Sequence, residues 1–148
     1  MTPSATPQNL TLITKATELS VRDILARARV WLRTKGLADE TCGTVELALA
    51  EALNNIVEHA YAAETPGGIR LVVRLSPARL VCVLSDQGAA LPDLKPPGGA
   101  LPDPSVGRDD LPEGGFGWFL IRDLTERLAY RRRAGWNHLT LEFTVNRA

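Results

Sequence analysis

The chain has 148 residues and a mass of 16.1 kDa, enough for one compact domain and too little for two ordinary ones. The 17 basic residues balance the 17 acidic ones, so the formal net charge is zero, which argues against a protein that coats nucleic acid or an anionic membrane. The cysteines, Cys42 and Cys82, form no CxxC pair, and the histidines are His59 and His138. A zinc or disulfide framework is therefore not expected, and a reducing cytoplasm fits. The first nine residues lack the basic and apolar regions of a signal peptide, so none is expected, and no run approaches the roughly 18 apolar residues of a membrane helix.

The first nine residues are rich in Thr, Pro and Ser and predict a disordered N-terminal segment, followed by a single domain over residues 10–148. Apolar periodicity then predicts the elements in chain order. They are an edge strand at 10–14, helices at 18–35 and 39–61, strands at 69–75 and 80–84, a helix at 117–127, and strands at 128–133 and 138–145 around a Gly135-Trp-Asn turn. Thr17 or Ser20 is positioned to cap the first helix.

The stretch from Gly88 to Gly115 holds six of the ten prolines and six of the twelve glycines. Structureless loops of this length are rare inside compact domains, so the stretch is either a linker or a functional lid. The element order predicts an α+β fold, a two-layer α/β sandwich in which a mixed, mostly antiparallel sheet carries its helices on one face.

The polar face of the second predicted helix holds Glu51, Asn54, Asn55, Glu58 and His59, opposite a core face. Asn is a mediocre helix former, so two of them in mid-helix call for an explanation. A solvated surface is one interpretation. The other is chemical, because Glu51 and Asn55 lie one turn apart and can supply a base beside an oxygen ligand for a hard cation.

Two further motifs contain glycine. Asp86-Gln-Gly88 ends a buried strand, which is either an ordinary turn or a site where the carboxylate accepts a hydrogen bond from the amine of adenine. Gly114-Gly115-Phe116-Gly117 opens the third helix, where glycines are either hinges or a source of free backbone N–H groups for a phosphate. The run Arg131-Arg-Arg133 is most simply a solvated strand end, with a partner-docking patch as the alternative.

In this order, and separated by a Gly/Pro-rich lid, the motifs resemble those of the Bergerat-fold ATPase superfamily of gyrase, histidine kinases and heat-shock chaperones. Residues 51–61 look like its N box, residues 86–88 like its first glycine box, and residues 115–117 like its second. The short chain is most similar to the anti-sigma-factor serine kinases, over roughly residues 10–146.

The resemblance implies a role for each matching residue. Glu51 would be the general base, Asn55 would coordinate Mg²⁺, and Asp86 would read the adenine amino group. The nucleotide pocket would be lined by Gly88, Ala90, Gly115, Phe116 and Gly117. Ala90 stands where many relatives have a second glycine, and Glu113-Gly114 stands where some have Arg-Ser. The candidates for a cationic phosphate ligand are therefore Arg108 and Lys95 in the lid.

By the same resemblance, the chain is expected to be a partner-switching serine/threonine kinase that uses ATP and Mg²⁺. It would phosphorylate an antagonist protein of the STAS type and sequester a sigma factor or similar regulator, without touching nucleic acid or membrane; a homodimer is left open. A histidine kinase catalytic domain is disfavoured because no histidine precedes His59. The alternative is a catalytically weak or inactive binding module that sequesters a regulatory partner.

Overall fold

The fold was taken from a computed structural model that describes residues 8–61, 67–97 and 115–146. These ranges contain five strands, three α-helices and two shorter helical turns. The elements are β1 (Gln8–Lys15), α1 (Glu18–Thr34), α2 (Asp39–Asn55), a π-turn (Ile56–Ala60), β2 (Gly68–Leu75), β3 (Arg79–Asp86), a 3₁₀ turn (Pro92–Leu94), α3 (Gly115–Leu124), β4 (Arg127–Arg133) and β5 (Trp136–Thr144).

The strands form one sheet in the order β1-β2-β3-β5-β4. Each neighbouring pair is antiparallel, so the parallel pairing that a mixed sheet requires does not occur among the described strands. Two of the neighbouring pairs, β2–β3 and β4–β5, are joined by short turns, which require antiparallel pairing, whereas α1 and α2 lie between β1 and β2. The α+β class and the edge position of β1 are confirmed, although β1 begins two residues before its predicted start.

One face of the sheet packs against the three helices and forms the core. Strands β2, β3 and β5 alternate, burying every second residue, and the fully buried side chains include Leu71, Leu84 and Leu141. Helix α1 begins where the Thr17 side chain accepts a hydrogen bond from the backbone N–H of Ser20 at 3.1 Å, as predicted. The core thus fixes α2 and α3 against the sheet, and these helices position the site.

The second helix ends earlier than predicted. Regular α-helix stops at Asn55, the next five residues form the π-turn, and Tyr61 is extended. The physical reason lies in a partner distant in sequence: the carbonyl of Ala60 accepts a hydrogen bond from the backbone N–H of Ala89 at 2.6 Å. Single π-turns are frequent at functional sites because they displace the groups that follow.

Two boundaries near the C-terminus also differ from the prediction. Helix α3 ends at Leu124 because the chain then joins the sheet: the N–H of Glu126 donates to the carbonyl of Glu142 on β5 at 2.8 Å instead of to a helix carbonyl. The β4–β5 turn is Ala134-Gly135, with φ angles of 53° and 82°, so Trp136 and Asn137 belong to β5 and not to the turn. Both turn residues have the left-handed backbone that a two-residue hairpin needs.

Across the described ranges, none of the helices is both long and apolar enough to cross a membrane.

Candidate functional site

A cavity of about 540 Å³ lies between the end of α2, the loop after β3 and the start of α3. Its wall is mostly apolar, with a few polar groups, which is the usual composition of a small-molecule pocket. It is lined by Ala52, Asn55, Ile56, His59, Ala60, Asp86, Ala89, Ala90, Leu91, Pro92, Pro97, Trp118, Tyr130, Asn137 and Leu139. Two of the predicted motifs, the N box and the first glycine box, therefore meet in one place.

Asp86 lies at the inner end of β3 with only 4% of its surface exposed. Its Oδ1 accepts hydrogen bonds from the backbone N–H of Gly88 and from the Asn137 amide, both at 2.8 Å. Within the described residues these bonds all use Oδ1. The second oxygen is therefore the one that can accept from a ligand in the cavity.

Asn137 on β5 is paired in register with Asp86 and connects it to the following loop. Its side-chain Nδ2 also donates to the backbone oxygens of Ala89 at 2.9 Å and Gly88 at 3.3 Å. Its Oδ1 accepts from the Tyr130 hydroxyl at 2.5 Å and from Arg132 at 2.8 Å. This buried amide thus holds the carboxylate and the loop in one arrangement.

Two residues of β4 complete this network. Arg132 turns back over the loop and donates to the carbonyl of Gly88 at 2.9 Å. The Tyr130 hydroxyl accepts from the backbone N–H of Leu91 at 3.1 Å. Sequence reasoning missed all three side chains of the network, Asn137, Tyr130 and Arg132. The available signal was the alternation of β5, which places a polar Asn137 on the same face as the core residues Leu139 and Leu141.

Gly88 is required by close packing against the π-turn. A Cβ at this position would lie 2.2 Å from the carbonyl oxygen of Ala60, closer than real Cβ contacts allow. Tyr61 supports the same junction, since its hydroxyl donates to the carbonyl of Gly68 and accepts from the N–H of Gln87, both at 2.7 Å. Burial raises the pKa of the Tyr61 hydroxyl, the Gln87 N–H lowers it and the Asp86 carboxylate raises it, so the hydroxyl keeps the proton it donates.

Gly117 brings the third motif to the N box. A Cβ on Gly117 would lie 2.8 Å from Glu51 Oε2 and 4.0 Å from Asn55 Oδ1, so α3 packs directly on the polar face of α2. Asn55 lines the cavity, and its Nδ2 is buried with no hydrogen-bond partner among the described residues. Glu51 is half-buried beside Gly117 and is not among the described residues that line the cavity.

The other predicted positions divide into three groups. Ala90 lines the cavity and Gly115 opens α3. Lys95 is exposed on the first part of the predicted lid, where Arg122 of α3 donates to the carbonyls of Pro96 and Pro97 at 3.0 Å. Arg108, the Phe116 side chain and most of the predicted lid lie outside the described residues.

This sheet-and-helix arrangement, with its cavity between α2 and the loop after β3, is that of an ATPase domain. Residues 14–143 match the family model described as a histidine kinase-like ATPase domain, and the chain belongs to that family. It is 38% identical to the serine/threonine-protein kinase BtrW of Bordetella bronchiseptica over 86% of this chain and 92% of that protein. It is 32% identical to the serine-protein kinase RsbW of Halalkalibacterium halodurans over 62% of this chain and 56% of that one.

Solved structures show the same fold at lower identity. The RsbU and RsbW domains of a Mycobacterium tuberculosis protein match with a TM-score of 0.68 at 20% identity, over 95% of this chain and 33% of that one. A histidine kinase domain from Erythrobacter litoralis matches with a TM-score of 0.51 at 17% identity, over 88% of this chain and 64% of that one. The predicted Bergerat-type fold is confirmed. The predicted class, an ATP-dependent protein serine/threonine kinase, is confirmed at the level of the family.

Proposed function

We propose that the chain is a partner-switching protein serine/threonine kinase that transfers the γ-phosphoryl group of ATP to a hydroxyl of an antagonist protein of the STAS type. The observation that carries the proposal is the meeting of the N box and the first glycine box at one cavity, where Asp86 is buried, while Gly117 of the third motif packs against Glu51 of the N box. The names of the relatives BtrW and RsbW support a protein substrate with a serine or threonine acceptor.

The adenine end of the proposed site is at Asp86. The cavity of about 540 Å³ is of the size that buries a drug-sized ligand, and its apolar wall includes Ile56, Leu91 and Leu139. With Oδ1 already accepting two hydrogen bonds, Oδ2 accepts the one that an exocyclic amine donates. A purine with an oxygen at that position is disfavoured, because two acceptors would face each other without a proton.

The phosphate end of the proposed site is at the start of α3. The first N–H groups of a helix have no partner inside it and attract anions, so Gly115, Phe116 and Gly117 supply backbone donors. Arg108 and Lys95 remain the candidates for an added cation.

The site residues also fit the magnesium ion that the family implies. Asn55 lines the cavity, and its buried Nδ2 has no hydrogen-bond partner among the described residues, as expected for a side chain that faces a ligand; this N–H group suits a phosphate oxygen and leaves Oδ1 for a cation. We propose that Asn55 holds the ion through Oδ1, where it would neutralise phosphate charge. Glu51, one helical turn away, would accept the proton of the attacking hydroxyl.

A sigma factor or similar regulator is the proposed second partner, because the motifs resemble those of the anti-sigma-factor serine kinases. The proposed compartment is the cytoplasm, in keeping with Cys42 and Cys82, which are both free and buried.

Glu51→Gln tests the proposal, with Glu58→Gln as its control on the exposed side of the same helical segment. We expect Glu51→Gln to keep ATP affinity in calorimetry and to lose phosphotransfer by about 10²-fold or more, the usual size of a general-base contribution. Phosphotransfer is measured with labelled ATP and candidate STAS-domain proteins as acceptors. Glu58→Gln should behave as wild type.

Two results would count against the proposal. If Glu51→Gln transfers phosphate at the wild-type rate, Glu51 is not the base. If wild type binds ATP and captures a STAS-domain protein but phosphorylates none, the chain is the alternative: a binding module in which the nucleotide has a structural role.

A further inference from the structure

The sheet has a second face, turned away from the helices, which we call the outer face. Side chains alternate between the two faces along each strand, which identifies the residues of the outer face. Leu71, Leu84 and Leu141 point into the core, so the residues next to them in the chain point outward. The neighbours in the middle of the sheet are small or branched and only partly buried, for example Val72, Val83 and Thr140. The middle of the outer face therefore carries no long or charged side chain.

The pairing register places outward residues in rows across the strands. One row, at the end of the sheet nearest Asp86, runs from Ile13 through Arg70, Ser85 and His138 to Arg131. The next row toward that end contains Lys15 on β1 and Arg133 on β4. We call the four cations of these two rows, Lys15, Arg70, Arg131 and Arg133, the basic band.

The charge of the outer face is one-sided although the chain as a whole is neutral. Its exposed cations are Lys15, Arg70, Arg74, Arg79, Arg127, Arg131 and Arg133. The acids that lie on this side within the described residues are Glu142, which pairs with Arg79 at 3.9 Å and Arg127 at 3.6 Å, and Glu126, which bonds Thr144. Both acids lie at the opposite end of the sheet, so no described acid offsets the basic band.

The three consecutive arginines at 131–133 point to two different sides of the sheet and have different roles. Arg132 points inward and holds the loop after β3, as described above. Arg131 and Arg133 point outward. Cations on an edge strand such as β4 commonly prevent sheets from pairing edge to edge, which accounts for Arg131 and Arg133. It does not account for Arg70, because β2 lies inside the sheet with a partner on each side.

We propose that the basic band docks an acidic surface of a partner protein, separately from the nucleotide site. Charge complementarity of this kind raises association rates and selects partners. The outer face measures on the order of 500 Å², from five strands about 4.8 Å apart, which is below the roughly 800 Å² per partner of a stable interface. The contact is therefore a transient one, steered by charge and sensitive to salt.

Two other occupants fit the face less well. A second copy of the chain placed symmetrically on this face would bring the two basic bands together, and like charges would repel. Single-stranded nucleic acid is bound on platforms of several aromatic side chains. The outer face carries Trp136 opposite Arg133, but its central row carries Thr11, Val72, Val83, Thr140 and Ala129, so a continuous stacking surface is absent from the described strands.

The test uses a fluorescent oligoglutamate peptide as the probe and measures its binding to the full chain by anisotropy at low and at moderate salt. Arg70→Glu combined with Arg131→Glu reverses two charges of the basic band. Arg22→Glu combined with Arg27→Glu makes the same change on exposed positions of α1 and serves as the control. We expect the first pair to weaken binding by about tenfold or more and the control by no more than about threefold. ATP affinity should stay at the wild-type value in both.

Several results would overturn the proposal: no binding by wild type, equal losses in the two pairs, or a single-stranded DNA of equal length bound more tightly through the same arginines. A change in oligomeric state caused by the first pair alone would assign the face to a second copy. If charge reversal prevents folding, Arg70→Gln with Arg131→Gln replaces it and should weaken binding about threefold or more. None of these results bears on phosphotransfer, so this proposal and the proposed function fail separately.

Discussion

Asn137 uses both atoms of its side-chain amide inside the site. Nδ2 donates to Asp86 and to the loop carbonyls of Gly88 and Ala89, while Oδ1 accepts from Tyr130 and Arg132. With 5% of its surface exposed, it makes these bonds away from water, where unpaired groups are costly. Asn137 is thus a positioning residue: it fixes which oxygen of Asp86 faces the cavity.

Asn137→Ala should therefore weaken ATP binding and reduce the preference for ATP over GTP. Removing the amide leaves buried partners unpaired, at about 1–3 kcal/mol, and releases the Asp86 carboxylate to rotate. We expect ATP affinity to fall about tenfold, since 1.4 kcal/mol is a factor of ten. Calorimetry with both nucleotides measures the ratio, and Asn54→Ala, at an exposed position of α2, is the control. An unchanged ratio in a folded variant would show that Asp86 needs no support from Asn137.

At the scale of the element, the packing of α3 on α2 depends on a residue without a side chain. Gly117 lies in the first turn of α3, where Ala would strengthen the helix. The Cβ of Ala would, however, lie 2.8 Å from Glu51 Oε2. Because that oxygen is the far end of a flexible side chain, the clash is relieved by moving the proposed base and not by unfolding the helix.

Gly117→Ala is thus expected to separate stability from activity. The free energy of unfolding should change little, while phosphotransfer falls on the order of 10- to 100-fold, as for a displaced catalytic group. Gly43→Ala is the matched control, because it is a helical glycine in α2 whose added Cβ meets nothing within 4 Å. It should raise stability by about 0.5–1 kcal/mol and leave phosphotransfer intact. Denaturant titration measures the stability, and the labelled-ATP assay measures phosphotransfer. If Gly117→Ala and Gly43→Ala transfer phosphate at equal rates, Gly117 does not position the catalytic group.

Helices and strands could be predicted from the sequence because their signals are local. The start of α1 at Glu18 and the strand β2 follow from apolar spacing and a capping Thr17, and both were predicted within a residue. The π-turn could not be predicted, since it depends on the bond between Ala60 and Ala89, which are distant in sequence. Asn137 was missed for a different reason. Its alternation with Leu139 and Leu141 was visible, but the prediction placed Asn137 in the turn, because Ala134 is not a residue that usually adopts the left-handed backbone found there.

At the scale of the whole molecule, the two layers enclose a core whose centre lies in β3. Cys82 is completely buried there, paired in register with Val73 on β2 and Leu141 on β5. Burial raises the pKa of the Cys82 thiol from its ordinary value of 9.0 to about 12. The folded protein therefore holds this proton more tightly than the unfolded chain does.

This difference predicts a loss of stability at alkaline pH. Below pH 9 both states keep the thiol proton and nothing changes; above it the unfolded chain ionises first, so the free energy of unfolding falls until the pH reaches about 12. At pH 10 the expected contribution to the free energy of unfolding is on the order of 1 kcal/mol. Urea titrations at pH 7 and pH 10 measure how far the free energy of unfolding falls between the two pH values. We expect this fall to be smaller by that amount in Cys82→Ala than in wild type. Val73→Ala truncates the apolar residue opposite Cys82 and is the control, which should show the full wild-type fall in the free energy of unfolding. If the two variants show the same fall, the loss of stability at alkaline pH comes from groups other than the Cys82 thiol.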